Sequence, residues 1–405
     1  MSFSLALSGL NAASTDLNAT ANNIANASTT GFKSSRTEFA DLFSVSPQGT
    51  SNTQTGNGVR VANVAQQFAQ GNIEVTGNNL DMAISGEGFF VLSDGGALSY
   101  SRAGAFTVDS TGNVVNSKNQ RLQVFPVNPA GGFNTGGLSD LRLVTSVSAP
   151  AATANAQVLF NLPATATPPA AAPFNPANAN TYNEATSLTV YDSLGAAHTA
   201  TLYFVKDVPD NDWSTMLYVD GTAVGGVQDL QYSNSGVLTV PATGSMPFPA
   251  YTPTTGAAPM TLTFNMLGTT QYGANFGVNA VTQDGYTTGR LIGIDFDNAG
   301  IVQARFTNGR SIPLGQIALA NFSSPQGLQQ LDSTQWAETF ASGQALRGQA
   351  GSSGLGLIES GSLEASNVDL TAQLVNMITA QRNFQANAQV ISTADQITQT
   401  IINIR

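Results

Sequence analysis

A stripe of mostly apolar positions runs through the carboxy-terminal end of the chain at alternating steps of four and three. Its members are Leu370, Leu374, Met377, Gln381, Phe384, Ala388 and Ile391. The stripe then moves one position round, to Val390, Ala394, Ile397, Ile401 and Ile404, as a straight helix with about 3.6 residues per turn requires. No Gly or Pro follows Gly361, so nothing interrupts a helix running from Ser366 to Arg405. Ser366 and Asn367 offer N-cap oxygens, and Asp369 brings a negative charge to the first turn, where the helix dipole favours it. The amino-terminal end repeats the spacing with Phe3, Leu7, Leu10, Ser14, Leu17, Ala21 and Ile24. No Pro precedes Pro47, and Gly31 marks a natural stop. The pattern predicts one amphipathic helix at each end, each with a single narrow seam.

Two seams at opposite ends predict that the termini pair and that everything between them is a nested insertion. Two unrelated helices, each packed on its own domain, fit the same spacing. Asn, Ser and Thr crowd both segments, and these are weak helix formers. Burying Phe3, Leu7, Leu10, Leu17 and Ile24 falls short of the backbone entropy of fixing the first helix. Both ends are therefore expected to be largely disordered in a lone subunit and to become helical when neighbouring subunits pack on them. The seam assigned to subunit assembly comprises those five residues with Leu370, Leu374, Met377, Phe384, Ile391, Ile397 and Ile401.

Between the ends the pattern changes to period two. Leu80, Met82 and Ile84 alternate with polar neighbours, and Gly86-Glu87-Gly88 feeds the apolar run Phe89 to Leu92. Asp94-Gly95-Gly96, Asp109 to Asn113 and Asp297 to Gly300 supply turns. Residues 44–57 read as a loop, and the Ala/Pro/Thr-rich stretch 149–177 reads as a linker or meandering edge. Strands are expected at 188–191, 199–205, 213–219 and 237–240. The fold class is α+β and multidomain: paired, coiled-coil-like terminal helices around nested, mainly antiparallel β domains. Residues 1–30 and 362–405 form a helical core and 31–77 with 342–361 a connecting segment. Residues 78–145 with 280–341 form an inner β domain, and 146–279 an outer β insert.

Charge narrows the partners. Only 10 % of residues are charged, against about 25 % in typical soluble domains. The net charge of −11 and the lack of a basic patch argue against nucleic acid. The insert holds seven carboxylates against the single cation Lys206, so it reads as a solvent-exposed module. Cysteine is absent, which suits an exported bacterial protein and a cytosolic one equally. The first basic residue is Lys33, so the start lacks the basic region of a signal peptide, and no apolar run reaches membrane-spanning length. Membrane insertion is not expected.

No catalytic constellation emerges. Asp295 and Asp297 imitate a calcium loop, but Ala299 and Phe306 occupy positions that need oxygen ligands. His198 is the only histidine; without cysteine it completes no usual zinc set and no evident Ser-His triad, and a surface or strand histidine is the simpler reading. No cofactor is expected. The polar faces of the terminal helices are nearly neutral, with Asn11, Thr15, Asn18 and Asn22 at one end and Gln385, Gln389, Gln396, Gln399 and Asn403 at the other. Such a face suits packing in an assembly or lining a passage, and it also follows from the low-charge composition of the whole chain.

Several stretches resemble the bacterial flagellar rod and hook axial family. Asn22, Asn23 and Asn26, followed by Gly31, Phe32 and Lys33, are similar to its amino-terminal signature. Asn367 and Asp369, with Gln381, Arg382 and Asn387, are similar to its carboxy-terminal one. Gly86 to Phe90 and Tyr100 to Phe106 resemble its inner β domain. The long central insert sets the chain with hook members rather than the shorter distal rod members. The resemblance implies a structural subunit, not an enzyme, exported unfolded by the flagellar type III apparatus without a cleaved leader. It implies polymerisation outside the cell into a short curved tube that carries torque from rod to filament. Implied partners are further copies of the chain, the distal rod protein, the hook–filament junction protein and the hook cap. A distal rod subunit and an extracellular adhesin are the competing readings.

Overall fold

A computed structural model of the chain describes residues 2–42, 56–143, 147–352 and 354–403. Phe43, most of the expected loop at 44–57, Ile404, Arg405 and the side chain of Ile401 lie outside the described residues. The chain divides into two compact units, residues 1–145 with 293–305 and 311–405, and residues 146–292 with 306–310.

In the first unit, helix α1 spans Ser2–Ala25 and helix α2 spans Leu370–Asn403. Strands Ser35–Asp41 and Val59–Gln66 pair antiparallel, with a register shift between Glu38 and Phe39. α1 is tied to this ribbon at both ends: the Val59 N–H donates to Ser8 Oγ at 3.3 Å, and Ser35 N–H to Asn23 Oδ1 at 2.8 Å. Both termini are thus helical where disorder was expected for a lone subunit. The seam alone was counted there; the ribbon and the polar contacts described below add support that the stripe does not show.

The β part of this unit is organised on Phe89–Asp94, which turns back through Gly95-Gly96 onto Ala97–Ser101. Both glycines take positive φ, 57° and 103°, the conformation a two-residue hairpin turn demands. Phe90 and Leu92 enter one core with Phe106, Leu122 and Ile317. Phe89 and Val91 enter another with Tyr100, Phe322 and Trp336. A strand covered on both faces must be apolar at every position, which is why this run does not alternate. Met82–Ser85 differs from expectation for the same reason: Ala83 is buried along with Met82 and Ile84, so the polar face read from the alternation does not exist.

The second unit packs two sheets over one core. Glu184–Tyr191, Ala197–Lys206, Asp212–Val219, Gln228–Tyr232 and Leu238–Val240 form an antiparallel sheet in that order. The other sheet is centred on Asn155–Pro163. It pairs parallel with Thr263–Asn265 and Thr270–Tyr272, and antiparallel with Gly277–Gln283. Phe160, Phe204, Trp213 and Phe264 meet in the core between them.

Two expectations fail here. The stretch 149–177 is not a linker throughout: Ala156, Val158, Phe160 and Leu162 alternate inward along a nine-residue strand. The boundary at 279/280 cuts Gly277–Gln283, whose pairing with Asn155–Pro163 carries the unit on to Ile292. Nor do all the insert's charges face water. Lys206 is buried, donating to the carbonyls of Asp207, Pro209 and Asp212 at 2.9, 2.7 and 3.1 Å, and Asp192 is fully buried.

Candidate functional site: the paired termini

α2 begins one residue after Asp369, whose Oδ1 accepts the N–H groups of Thr371 and Ala372 at 2.9 and 3.1 Å. Asp369 is therefore the N-cap itself, and Asn367 is freed for another task. α1 and α2 run antiparallel against each other. Near one end Asn23 Nδ2 donates to Gln373 Oε1 at 3.2 Å. Near the other, Gly9 faces Asn387 so closely that a Cβ on Gly9 would lie 2.5 Å from Asn387 Oδ1. From Asn23 back to Gly9 and from Gln373 on to Asn387 is 14 positions each (23 − 9 and 387 − 373), so both contacts share one antiparallel register. Extending that register sets Ser2 opposite Ala394, so the end of α2 has no counterpart on α1.

The close approaches between the helices, Gly9 to Asn387 and Asn23 to Gln373, are made by small and polar residues. Ala6, Ala13 and Thr20, seven apart, are buried on α1 together with Ala12 and Asn23, and Ala380 is buried on α2. The predicted seam straddles this contact. Leu10, Leu17, Ile24, Met377, Phe384 and Ile391 are half-buried, whereas Phe3, Leu7, Leu370, Leu374 and Ile397 are exposed, Phe3 by 49 % and Leu374 by 50 %. Small side chains let two helices approach closely, and the larger ones beside them are then pushed to the rim.

The motif residues divide by task. Asn22 and Asn26 close the end of α1, with Asn26 Nδ2 donating to the Asn22 carbonyl at 2.9 Å. Gln381 and Arg382 lie exposed on α2. Asn23, Gly31, Phe32 and Asn367 converge below the helices. Asn367 Oδ1 accepts from Ser34 N–H at 2.8 Å, and its Nδ2 donates to the carbonyls of Gln67 and Ala69 at 2.7 and 3.0 Å. Gly31 N–H donates to the Glu364 carbonyl at 2.8 Å. Phe32 is buried.

Beneath them lies a buried charge cluster that the sequence pattern did not single out as a site. Glu364, fully buried, accepts from Lys33 Nζ at 2.7 Å and from the Gly71 N–H at 2.9 Å on Oε1, and from Arg102 at 3.3 Å on Oε2. Lys33 also donates to the Ala69 carbonyl and Arg102 to the Gly86 carbonyl, both at 2.8 Å. Desolvation lowers the pKa of both cations from their ordinary values, and Glu364 opposes that shift. The cluster fastens the exit of α1, the inner β strands and the approach to α2 to one another. Its signal in the sequence was the scarcity of charge: Lys33 and Arg102 stand inside otherwise apolar and small-residue motifs.

The remaining constellations are structural. Asp297 Oδ1 accepts the Ile301 N–H at 2.7 Å in a hairpin turn, and Asp295 pairs with Arg305. His198 sits buried on a strand, with Nδ1 2.6 Å from Asp220 Oδ2 and Nε2 3.2 Å from Asp192 Oδ2. Both ring nitrogens are engaged by carboxylates, which leaves neither free to take a proton from a nucleophile. Among the described residues no cluster of three or more His, Cys, Asp or Glu is placed to hold a metal. No described helix is long and apolar enough to cross a membrane.

Helices at both termini are joined beneath by a polar clasp and separated in sequence by nested β units. The family comparisons follow the same order along the chain. Residues 3–33 match the flagella basal body rod protein family, and 83–159 the flagellar hook protein FlgE/F/G D1 domain. Residues 161–286 match the flagellar basal body protein FlaE D2 domain, and 359–404 the flagellar basal body rod FlgEFG protein C-terminal family. The chain is 39 % identical to the flagellar hook protein FlgE of Salmonella typhimurium over 415 residues, and 40 % identical to that of Escherichia coli K12 over 419, covering all of both chains in each case. It is 33 % identical to the FlgE of Borreliella burgdorferi across 98 % of each chain. It belongs to the flagellar hook protein family, and the distal rod and adhesin readings are not favoured. The crystal structure of Helicobacter pylori flagellar hook protein FlgE2 shares the fold, with a TM-score of 0.53 at 12 % identity over 72 % of this chain and 100 % of that one.

Proposed function

We propose that this hook subunit self-assembles through its two terminal helices into a curved helical tube, a flexible universal joint carrying torque from rod to filament. The observation that carries the proposal is the split on the helix pair. Small residues fill the contact inside one chain, while Phe3, Leu7, Leu370 and Leu374 remain exposed on either side of it. Burying each of these in a neighbour stabilises the polymer by roughly 1.5–3 kcal/mol at most. In this reading α1 and α2 of successive copies continue the pairing as a coiled-coil-like core. The inner β domain and the acidic insert remain separate modules, with the insert's boundary at 292 rather than 279. The role is structural rather than enzymatic. The rod, junction and cap proteins would meet the polymer at its ends, and the type III apparatus would export the chain.

Stiffness in twist with softness along each row of copies follows from two kinds of contact. Helix packing supplies cohesion, whereas polar, Gly-rich β surfaces slide because they lack deep apolar interlocks. The test is Leu374→Asp and Leu10→Asp. Each is expected to abolish polymerisation of the purified protein, because a carboxylate would be buried without a partner. Normal tubes from either variant, seen by electron microscopy, would refute the assembly role of the seam.

A further inference from the structure

Phe340 is exposed by 105 %, more than any other large apolar residue described. It does not lie on a frayed segment. Its neighbour Thr339 is locked from three directions: its N–H donates to Ser342 Oγ at 2.9 Å, its Oγ1 donates to the Gly327 carbonyl, and the Ala341 N–H donates to that Oγ1 at 3.1 Å. Ser342 is fully buried and returns a bond to the Thr339 carbonyl at 2.9 Å. Gly327 approaches this turn so closely that a Cβ there would lie 2.5 Å from the Ala341 carbonyl carbon. The chain therefore fixes the residues on both sides of Phe340 and aims the ring into solvent.

The turn leads into strand Leu346–Gly348, which pairs only with Leu319–Asn321 among the described residues. Among the described residues no strand pairs with its other edge, and Leu346 is 61 % exposed. A rigid aromatic beside an open strand edge has the composition of an interface hot spot: large area, little side-chain entropy to lose, and backbone donors nearby.

We propose that the turn 338–343 is a preformed contact between copies of this chain, with Phe340 seated in an apolar hollow of the adjacent subunit. The proposal rests on the hook-subunit reading above. A second copy is the occupant because a feature carried by every subunit of a homopolymer meets other copies along its whole length, whereas a different partner at an end could cover only a few.

The test uses the full-length chain in two forms. Phe340→Ala is expected to leave the melting temperature of the monomer unchanged, since the ring is fully exposed and packs on none of the described residues. It is also expected to raise the protein concentration needed for polymerisation by roughly tenfold. Separately, p-benzoylphenylalanine installed at position 340 is expected to give crosslinked dimers on irradiation of the polymer and none in dilute monomer. An unchanged threshold, or a polymer without crosslinked dimers, overturns the proposal. Failure of the unsubstituted chain to polymerise would instead overturn the reading on which it rests.

Discussion

Lys33 Nζ lies 2.7 Å from Glu364 Oε1, with both side chains out of solvent and the two residues 331 positions apart in the chain. This contact makes the two ends of the sequence one structural object. Arg102 shares the same carboxylate at 3.3 Å, so the cluster holds two cations and one anion.

The charge count sets an order of damage. Glu364→Ala leaves two buried cations with only the exposed Glu87 as a nearby counter-charge and should cost about 3–5 kcal/mol. Lys33→Met leaves the balanced Arg102–Glu364 pair in place and should cost clearly less. Urea unfolding of the two variants, followed on the transition of the first unit, checks the ranking. Equal losses would mean that Glu364 does not hold both cations.

Gly31 should tolerate no side chain. Its φ of +68° disfavours any L-residue by about 1–2 kcal/mol, and a Cβ there would lie 2.5 Å from the Ala103 backbone nitrogen. Gly77 has a similar φ of +74° but nothing within 4 Å of a Cβ. Gly31→Ala is therefore expected to lower the melting temperature well beyond Gly77→Ala, the difference being the clash alone.

His198 gives the second unit a pH dependence with a defined sign. Burial lowers the pKa of its ring, but hydrogen bonds to Asp220 and Asp192 outweigh burial and raise it above 6.5. Burial raises that of Asp192, but bonds from Thr255, the Ala196 and Leu194 N–H groups and His198 bring it to about 2. Asp220, also accepting from Thr199 N–H and Tyr251, is likewise lowered. The imidazolium's contribution is complete below 6.5 and is lost as pH rises through the raised value. The carboxylates' contribution is complete above 3.8 and is lost as pH falls through their lowered values. The stability gap between the natural chain and His198→Gln should be widest from pH 3.8 to 6.5 and shrink above it. Because the chain has one histidine, its ring proton resonances report the midpoint directly. A midpoint at or below 6.5, or a gap that does not change with pH, would contradict the account.

The sequence made some of this legible and hid the rest for identifiable reasons. Helix spacing located both termini because 3.6-residue periodicity is a property of each segment alone. It did not show their mutual contact: large residues such as Leu374 dominate the pattern, while the close approach is at Gly9 and Asn387. The strand Asn155–Pro163 carried its alternation openly in Ala156, Val158, Phe160 and Leu162, but the surrounding Ala, Pro and Thr residues masked it. The Lys33–Glu364 contact was not legible at all, since no local rule relates positions so far apart. Only the rarity of charge in this chain singled out its members.

The central claim is that the exposed apolar faces at the two ends are finished by other copies. Backbone hydrogen exchange on monomer and polymer of the same chain tests it most directly. Within the monomer, residues 370–390 of α2 should exchange more slowly than 395–403, which extend beyond the register of α1. On polymerisation both segments should slow, the latter by at least about tenfold. An end of α2 already as protected in the monomer as in the polymer, or still exchanging freely in the polymer, would contradict the claim.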